Sequence, residues 1–191
     1  MIPAEKIPVA LQEAPFSITQ AEQLGLSRHF LREMLRTGQI EKLARGIYRL
    51  CQPDYSEEDQ FRAALLRVDK PSTICLISAL SFHHLTDLIP NKIWIFVPQM
   101  KRTTYKDLKL IRISHPHWKT GIKTGDGYRI TSLERTLVDA FTYKRYVGLE
   151  TAVNALRKAI REQRTTTAKV LEMSISLDAD ARIRPYIEAL S

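Results

Sequence analysis

Ser17-Ile-Thr-Gln-Ala-Glu-Gln-Leu24, then Gly25-Leu26, then Ser27-Arg-His-Phe-Leu-Arg-Glu-Met-Leu-Arg36 and Thr37-Gly38 decide how the first third of this 191-residue chain is read. The first block opens with two overlapping capping boxes, Ser17 with Gln20 or Thr19 with Glu22, and places Ile18, Ala21 and Leu24 on one apolar face. Gly25 stops it as a C′ glycine. Ser27 then caps a second helix over residues 28–37, whose buried stripe is Phe30, Leu31, Met34 and Leu35, and Gly38 ends that helix in turn. Two helices joined by a glycine turn are the frame of a helix-turn-helix. Downstream, Ile40-Glu-Lys-Leu43 and Ile47-Tyr-Arg-Leu50 read as short strands around the tip Ala44-Arg-Gly46, a wing. Upstream, a first helix of about two turns completes an expected order of three helices and a hairpin.

The outward stripe of the second helix carries Arg28, Arg32 and Arg36 at i+4 spacing, with Ser27 and His29 in its first turn. DNA-reading helices present their N-terminal residues to base edges, so Arg28, His29 and Arg32 are the candidate base contacts. The guanidinium fork suits the guanine edge. Arg36, further along, suits phosphate. Thr19 and Gln20 at the start of the preceding helix are candidate phosphate donors together with backbone N–H groups, and Arg45 at the hairpin tip is a backbone or minor-groove contact. The competing reading of three arginines on a helix is an ordinary solvated face; the capped glycine turn before them and the Arg-Gly hairpin after them tip the balance toward DNA.

Working outward, Cys51-Gln-Pro-Asp-Tyr-Ser56 is the clearest seam, with Pro53 as a breaker and Asp54 or Ser56 as a helix cap. It predicts a DNA-binding domain over residues 1–52 and a second domain over 53–191. Beyond it come a helix over 57–68 and a largely apolar stretch 72–85, helical near 77–84. Strands are expected at 92–97 and 108–113, a glycine-punctuated loop or hairpin over 120–130, and helices over 133–142 and 149–162. Two short helices end the chain. Strands in the middle flanked by helices make an α+β domain, with a small sheet between helices.

The net charge is +8. Residues 92–129 hold nine Lys and Arg against Asp107 and Asp126, whereas residues 1–50 carry a balance of only +2. Lys101, Arg102, Lys106, Lys109, Arg112, Lys119, Lys123 and Arg129 are therefore expected to form a basic C-terminal face suited to a polyanion or an acidic protein. No run of about 18 apolar residues suggests a membrane span. Met1 to Gln12 holds one Lys and no apolar core of signal-peptide length, so the expected location is the cytoplasm. Cys51 and Cys75, without C-x-x-C spacing, are expected as two reduced thiols.

Enzymatic readings are weaker. Asp107-Leu-Lys109, with Asp87 upstream, loosely fits the acids and lysine of a Mg²⁺-dependent nuclease, which stays as the alternative function. Asp178-Ala-Asp180 has the paired acids of a nucleotidyltransferase without its glycine turn. His83-His84 and His115-Pro-His117 lack the cysteine or carboxylate company of a metal site. Gly121-Ile-Lys-Thr-Gly-Asp-Gly127 lacks the ending of a phosphate-binding P-loop. Glu134, Arg135 and Asp139 read as a structural ion-pair cluster. Trp94 and Trp118 read as core or domain-interface residues. The expectation is a non-enzyme with no cofactor and no metal.

The stretch from Phe16 to Leu31, followed by Gly38-Gln-Ile-Glu-Lys-Leu-Ala-Arg-Gly-Ile-Tyr-Arg-Leu50, resembles the N-terminal domain of AbiEi-type antitoxins of bacterial type IV (abortive infection) toxin–antitoxin systems. Ser78-Ala-Leu-Ser-Phe-His-His-Leu85, Trp94-Ile-Phe-Val-Pro98 and Ile130-Thr-Ser-Leu-Glu-Arg-Thr-Leu-Val-Asp-Ala140 extend the resemblance over most of the chain. It implies a repressor of its own operon that binds inverted repeats in double-stranded DNA, as a monomer in solution or a dimer on DNA. It also implies a C-terminal domain that counteracts a nucleotidyltransferase-like toxin, with or without a stable complex, and it casts Arg28, His29, Arg32 and Arg45 as DNA contacts. A regulator whose C-terminal domain binds some other protein is the third reading.

Overall fold

A computed structural model describes residues 7–51, 56–68, 71–100, 104–113 and 118–189. Its tertiary contacts divide the chain into a unit of residues 1–70 and a unit of residues 71–191. The sequence seam drew the boundary at 52/53. The helix that follows the seam groups instead with the first unit, because it packs on all three strands there. Pro53 and Asp54, on which that boundary rested, lie outside the described residues.

Among the described residues the first element of the N-terminal unit is a 3-10 turn, Val9–Leu11, where a first helix was expected. Pro8 and Pro15 bracket the segment. Pro15 bars helix from the residue before it, so a single tight turn is what fits, with Leu11 buried. Strand β1 (Phe16–Ser17), helices α1 (Ile18–Gln23) and α2 (Arg28–Arg36), strands β2 (Ile40–Ala44) and β3 (Ile47–Leu50), and helix α3 (Glu57–Val68) follow. The sheet is antiparallel in the order β1-β3-β2. Ile7, Leu11, Phe16, Ala21, Leu26, Leu31, Met34 and Ile40 fill its core.

Helices α1 and α2 close by the same device. Gly25 sits at φ +85°, its N–H reaching Glu22 O (3.0 Å) while Leu26 N–H reaches Ala21 O (2.9 Å). Gly38 and Gln39 repeat the pattern on Leu35 and Met34 (3.2 and 2.9 Å). These paired bonds satisfy carbonyls a helix end leaves open, and the left-handed backbone they need favours glycine.

The C-terminal unit comprises β4 (Thr73–Ile74), α4 (Leu76–Phe82), β5 (Ile93–Pro98), β6 (Leu108–Ile113), β7 (Ile122–Thr124) and β8 (Arg129–Thr131). Helices α5 (Leu133–Thr142), α6 (Lys144–Val147), α7 (Leu149–Arg161), α8 (Thr167–Ser176) and α9 (Asp180–Glu188) complete it. Its mixed sheet runs β6-β5-β4-β8-β7. The β5–β6 and β4–β8 pairs are parallel and the others antiparallel. Helix α5, capped by Ser132, is buried along most of its length and packs against α4, α7, α8 and α9. Leu137, Val138 and Phe141 join it to Phe96, Ile111, Leu156 and Ile183 in one core. The chain is thus mixed α+β: a small helix-turn-helix and hairpin unit, then helices around a five-stranded sheet. No described helix is long and apolar enough to cross a membrane.

Candidate nucleic-acid interface

In the N-terminal unit the capping choice is settled in favour of Ser17 and Gln20. The Ser17 hydroxyl accepts from Gln20 N–H (3.2 Å) and the Gln20 amide oxygen accepts from Ser17 N–H (2.8 Å). Those two backbone donors are therefore spent within the helix start, and only the exposed side chains of Thr19 and Gln20 extend beyond it. The choice also releases Glu22, which takes a bond from Arg28 Nε at 2.6 Å across the glycine turn.

Helix α2 is anchored from behind by Leu31 (2 % exposed) and Met34 (0 %). Ser27 caps it by accepting from Phe30 N–H (3.1 Å). Ser27, Arg28, His29, Arg32 and Arg36 are all exposed, so the outward stripe read from the spacing stands on one helix face. Its arginines are not equivalent. Arg28 is held by Glu22, and Arg36 is held by Glu33, whose carboxyl its guanidinium keeps below the ordinary range. Arg32 donates from Nε to the Arg28 carbonyl (3.3 Å) and has no carboxylate partner among the described residues.

The hairpin places the second cation. Ala44 pairs with Ile47, leaving Arg45 and Gly46 as the two-residue tip, and a register shift between Lys42 and Ala44 bends β2 just before it. Gly46 is at φ +76°, and its carbonyl accepts from Ile18 N–H at 2.9 Å. That bond ties the tip to the start of α1, and Arg45 beside it is exposed. Arg45 also has no carboxylate partner among the described residues. Further down the hairpin, Glu41 and Arg49 face each other across the strands and form an ion pair. Strand β1, which joins the hairpin as a third strand, was missed in the sequence; two residues carry no alternation to detect.

In the C-terminal unit the described basic residues fall in two groups along the strand order. Lys106, Lys109 and Arg112 lie in or just before β6, at one edge of the sheet. Lys119, Lys123 and Arg129 lie around β7 and β8, at the other edge. Lys101 and Arg102 lie outside the described residues. Lys109 rests over the rings of Trp94 (5.8 Å) and Tyr146 (5.9 Å), so part of its charge is engaged by aromatic faces.

The chemistry-bearing residues set aside in the sequence have structural places. His83 is buried on Thr131 O (Nε2 to O, 2.8 Å), and burial lowers its pKa. Arg135 and Asp139 form a buried pair, Nε to Oδ2 at 3.0 Å, whereas Glu134 accepts from Thr165 Oγ1 (3.0 Å) instead of joining them. Asp180 pairs with Arg184 at 3.1 Å. Cys51 is exposed and Cys75 buried, both free. Among the described residues no group of three or more His, Cys, Asp or Glu side chains is placed to hold a metal ion. His115 and His117 lie outside those residues.

Residues 9–50 match the family described as transcriptional regulator, AbiEi antitoxin, the family that the resemblance in the sequence pointed to. The match spans the turn, α1, α2 and the hairpin, the segment that carries Arg28, Arg32 and Arg45. Among solved structures, the chain is similar to the RV2827C protein from Mycobacterium tuberculosis. The TM-score is 0.58 at 18% sequence identity, with 92% of this chain and 76% of that chain covered, which is a likeness of fold. No curated protein matches the chain.

Proposed function

We propose that the N-terminal unit binds double-stranded DNA, with α2 entering the major groove and the Arg45 tip on the backbone or minor groove, and that the protein represses its own operon. The observation that carries this reading is the exposed stripe Arg28, His29 and Arg32 on a helix pinned from behind by Leu31 and Met34. The wing tip tied to α1 supports it. Arg32 needs no carboxylate displaced before it meets a base edge. Arg28 and Arg36 must first exchange Glu22 and Glu33 for DNA, and exposed pairs of this kind are weak enough to yield.

Two copies on an inverted repeat assemble on the DNA, so a monomer in solution agrees with repression. The chain performs no catalytic step in this reading and acts in the cytoplasm. The family matched by residues 9–50 supports its use as the antitoxin of an abortive infection system. The partner toxin is then a nucleotidyltransferase-like enzyme encoded beside it, with or without a stable complex. Co-expression of this chain with the product of the adjacent gene tests that part: rescue of growth is expected, and unrelieved arrest rejects it.

For the repressor, the test is a gel-shift titration on the protein's own upstream region with random duplex as competitor. Arg32→Ala is expected to cost about 1–3 kcal/mol on the operator and little on random DNA. Equal losses on both would remove Arg32 from the base-reading set. Arg45→Ala is expected to weaken both duplexes alike and to lower the salt slope by about one. An unchanged slope rejects the backbone contact. A wild-type protein with no preference for its upstream region overturns the repressor reading altogether.

A further inference from the structure

The edge of the C-terminal sheet formed by β4, β8 and β7 holds an open groove of about 520 Å³ that the duplex-binding reading does not use. Strand pairing builds it. Arg129 lies across from Thr124 in the antiparallel β7–β8 pair, and Thr73 falls on the same sheet face through the parallel pairing of β4 with β8. Trp118 and Ile122 supply apolar walls, Ser72 and Thr124 supply hydroxyls, and Lys119 and Arg129 supply positive charge. This volume lies within the range of small-ligand sites.

The electrostatics are unfinished. Arg129 is half-buried, and its guanidinium donates from Nη2 to the buried Ser72 hydroxyl over a long 3.5 Å. No carboxylate among the described residues pairs with Arg129 or with Lys119. A guanidinium partly removed from water without a counter-anion is a standing cost, and burial lowers its pKa accordingly. An anion delivered to the groove would relieve it, and a phosphate matches the planar fork in two bonds. The indole beside it favours a flat ring over an aliphatic or peptide ligand, as in sites that stack single bases. Phosphate and flat ring on one small molecule specify a nucleotide.

We propose that this groove binds a nucleotide, with its phosphate on Arg129 and Lys119 and its base against Trp118. The nucleotide is either free or an unpaired residue of a nucleic acid strand. The inference concerns the C-terminal unit and stands independently of the duplex-binding reading.

Fluorescence titration of the full chain tests it. The protein has two tryptophans, so Trp94→Phe leaves Trp118 as the reporting indole; calorimetry on the unaltered chain gives the same constant without the substitution. The probes are AMP, inorganic phosphate and single-stranded hexauridylate. Saturable binding of AMP with a change in Trp118 emission is expected, with phosphate at least about tenfold weaker because it has no base to stack. Arg129→Gln is expected to weaken AMP about tenfold or more, and Lys119→Ala, at an exposed position, about threefold. Hexauridylate at least about tenfold tighter than AMP assigns the nucleotide to a nucleic acid strand, whereas comparable affinity assigns it to the free form. Inorganic phosphate or a phosphoserine peptide binding as tightly as AMP overturns the proposal. So does failure of AMP and hexauridylate to saturate at millimolar concentration, or an Arg129→Gln and Lys119→Ala pair that binds AMP as the parent does.

Discussion

Arg135→Met lowers the stability of the C-terminal unit by about 3–5 kcal/mol at neutral pH, the cost of removing one partner from a buried ion pair. Arg135 is 1% exposed and Asp139 5%, at the centre of α5. The guanidinium bonds Asp139 and also donates to the Thr120 carbonyl, which fixes the loop entering β7. At the next residue, Gly121, a Cβ would lie 2.8 Å from Arg135 Cβ, and φ is +63°, so the loop is shaped around this side chain. Methionine fills much of the volume but leaves a buried carboxylate without its cation and a carbonyl without its donor. The loss is therefore electrostatic more than steric.

Its pH dependence follows from Asp139, whose pKa burial raises to about 6 against the lowering effect of Arg135. A carboxyl raised in the folded state holds its proton more tightly there than in the unfolded chain. Its contribution to stability is thus complete below the ordinary carboxyl range and is lost as pH rises through about 6. Without Arg135 the folded carboxyl rises further, and the variant loses stability over a window extending to higher pH than in the parent. The deficit is therefore expected to be largest at pH 8 and to shrink toward pH 5. Cys75 and Tyr143 face the same carboxylate, but burial raises the thiol well above its ordinary value and the phenol to about 12, so neither titrates in that window. Urea midpoints of parent and variant at pH 5 and pH 8 measure this. A deficit below about 1 kcal/mol would show that the pair carries little, and a larger one independent of pH would show that Asp139 does not titrate between pH 5 and 8.

The parts of the fold legible in the sequence are those where capping and periodicity act within a few residues. Ser17, Ser27 and Ser132 each announce a helix that forms where expected, and residues 57–68 form the helix read from their pattern. The hairpin tip follows from Arg45-Gly46 and its flanking β-branched residues. What escaped reading depends on long-range pairing. Strands β1 and β4 are two residues long and exist only because β3, β5 and β8 lie beside them. A two-residue strand has no period, so sequence alone cannot announce it. The basic run over 92–129 was read as one face because its residues are near in sequence. The strand order β6-β5-β4-β8-β7 sends them to opposite edges. The groove at β7 was invisible for the same reason: its residues come from 71–73, 118–124 and 129. In helix α2, spacing placed Arg28, Arg32 and Arg36 on one face, but whether Glu22 is free to hold Arg28 depended on the choice between two capping boxes.

Met34→Ala is expected to cost the N-terminal unit about 2–5 kcal/mol, the range for truncating a fully buried large side chain. Met34 is 0% exposed and packs with Leu31, Phe16 and Ile40 under the helix that carries Arg32. A unit of this size holds only several kcal/mol in total, so the loss consumes much of its stability. Its core shares no residue with the core around α5. Both tryptophans lie in the C-terminal unit and pack against its core, whereas helical ellipticity reports on both units. The expected result is an ellipticity scan with an early transition moved down by about 10–30 °C, while tryptophan emission keeps the parent's midpoint. The duplex binding proposed for this unit is expected to disappear over that early transition, because Arg28, His29 and Arg32 share one face only while α2 is helical and seated. If ellipticity and emission instead shift together, the two cores unfold as one, and any change in duplex affinity no longer reports on α2 alone. A variant that melts at the parent's temperature but fails on operator DNA points the other way: Met34 would then set the pitch of α2 against its neighbours without carrying the unit's stability.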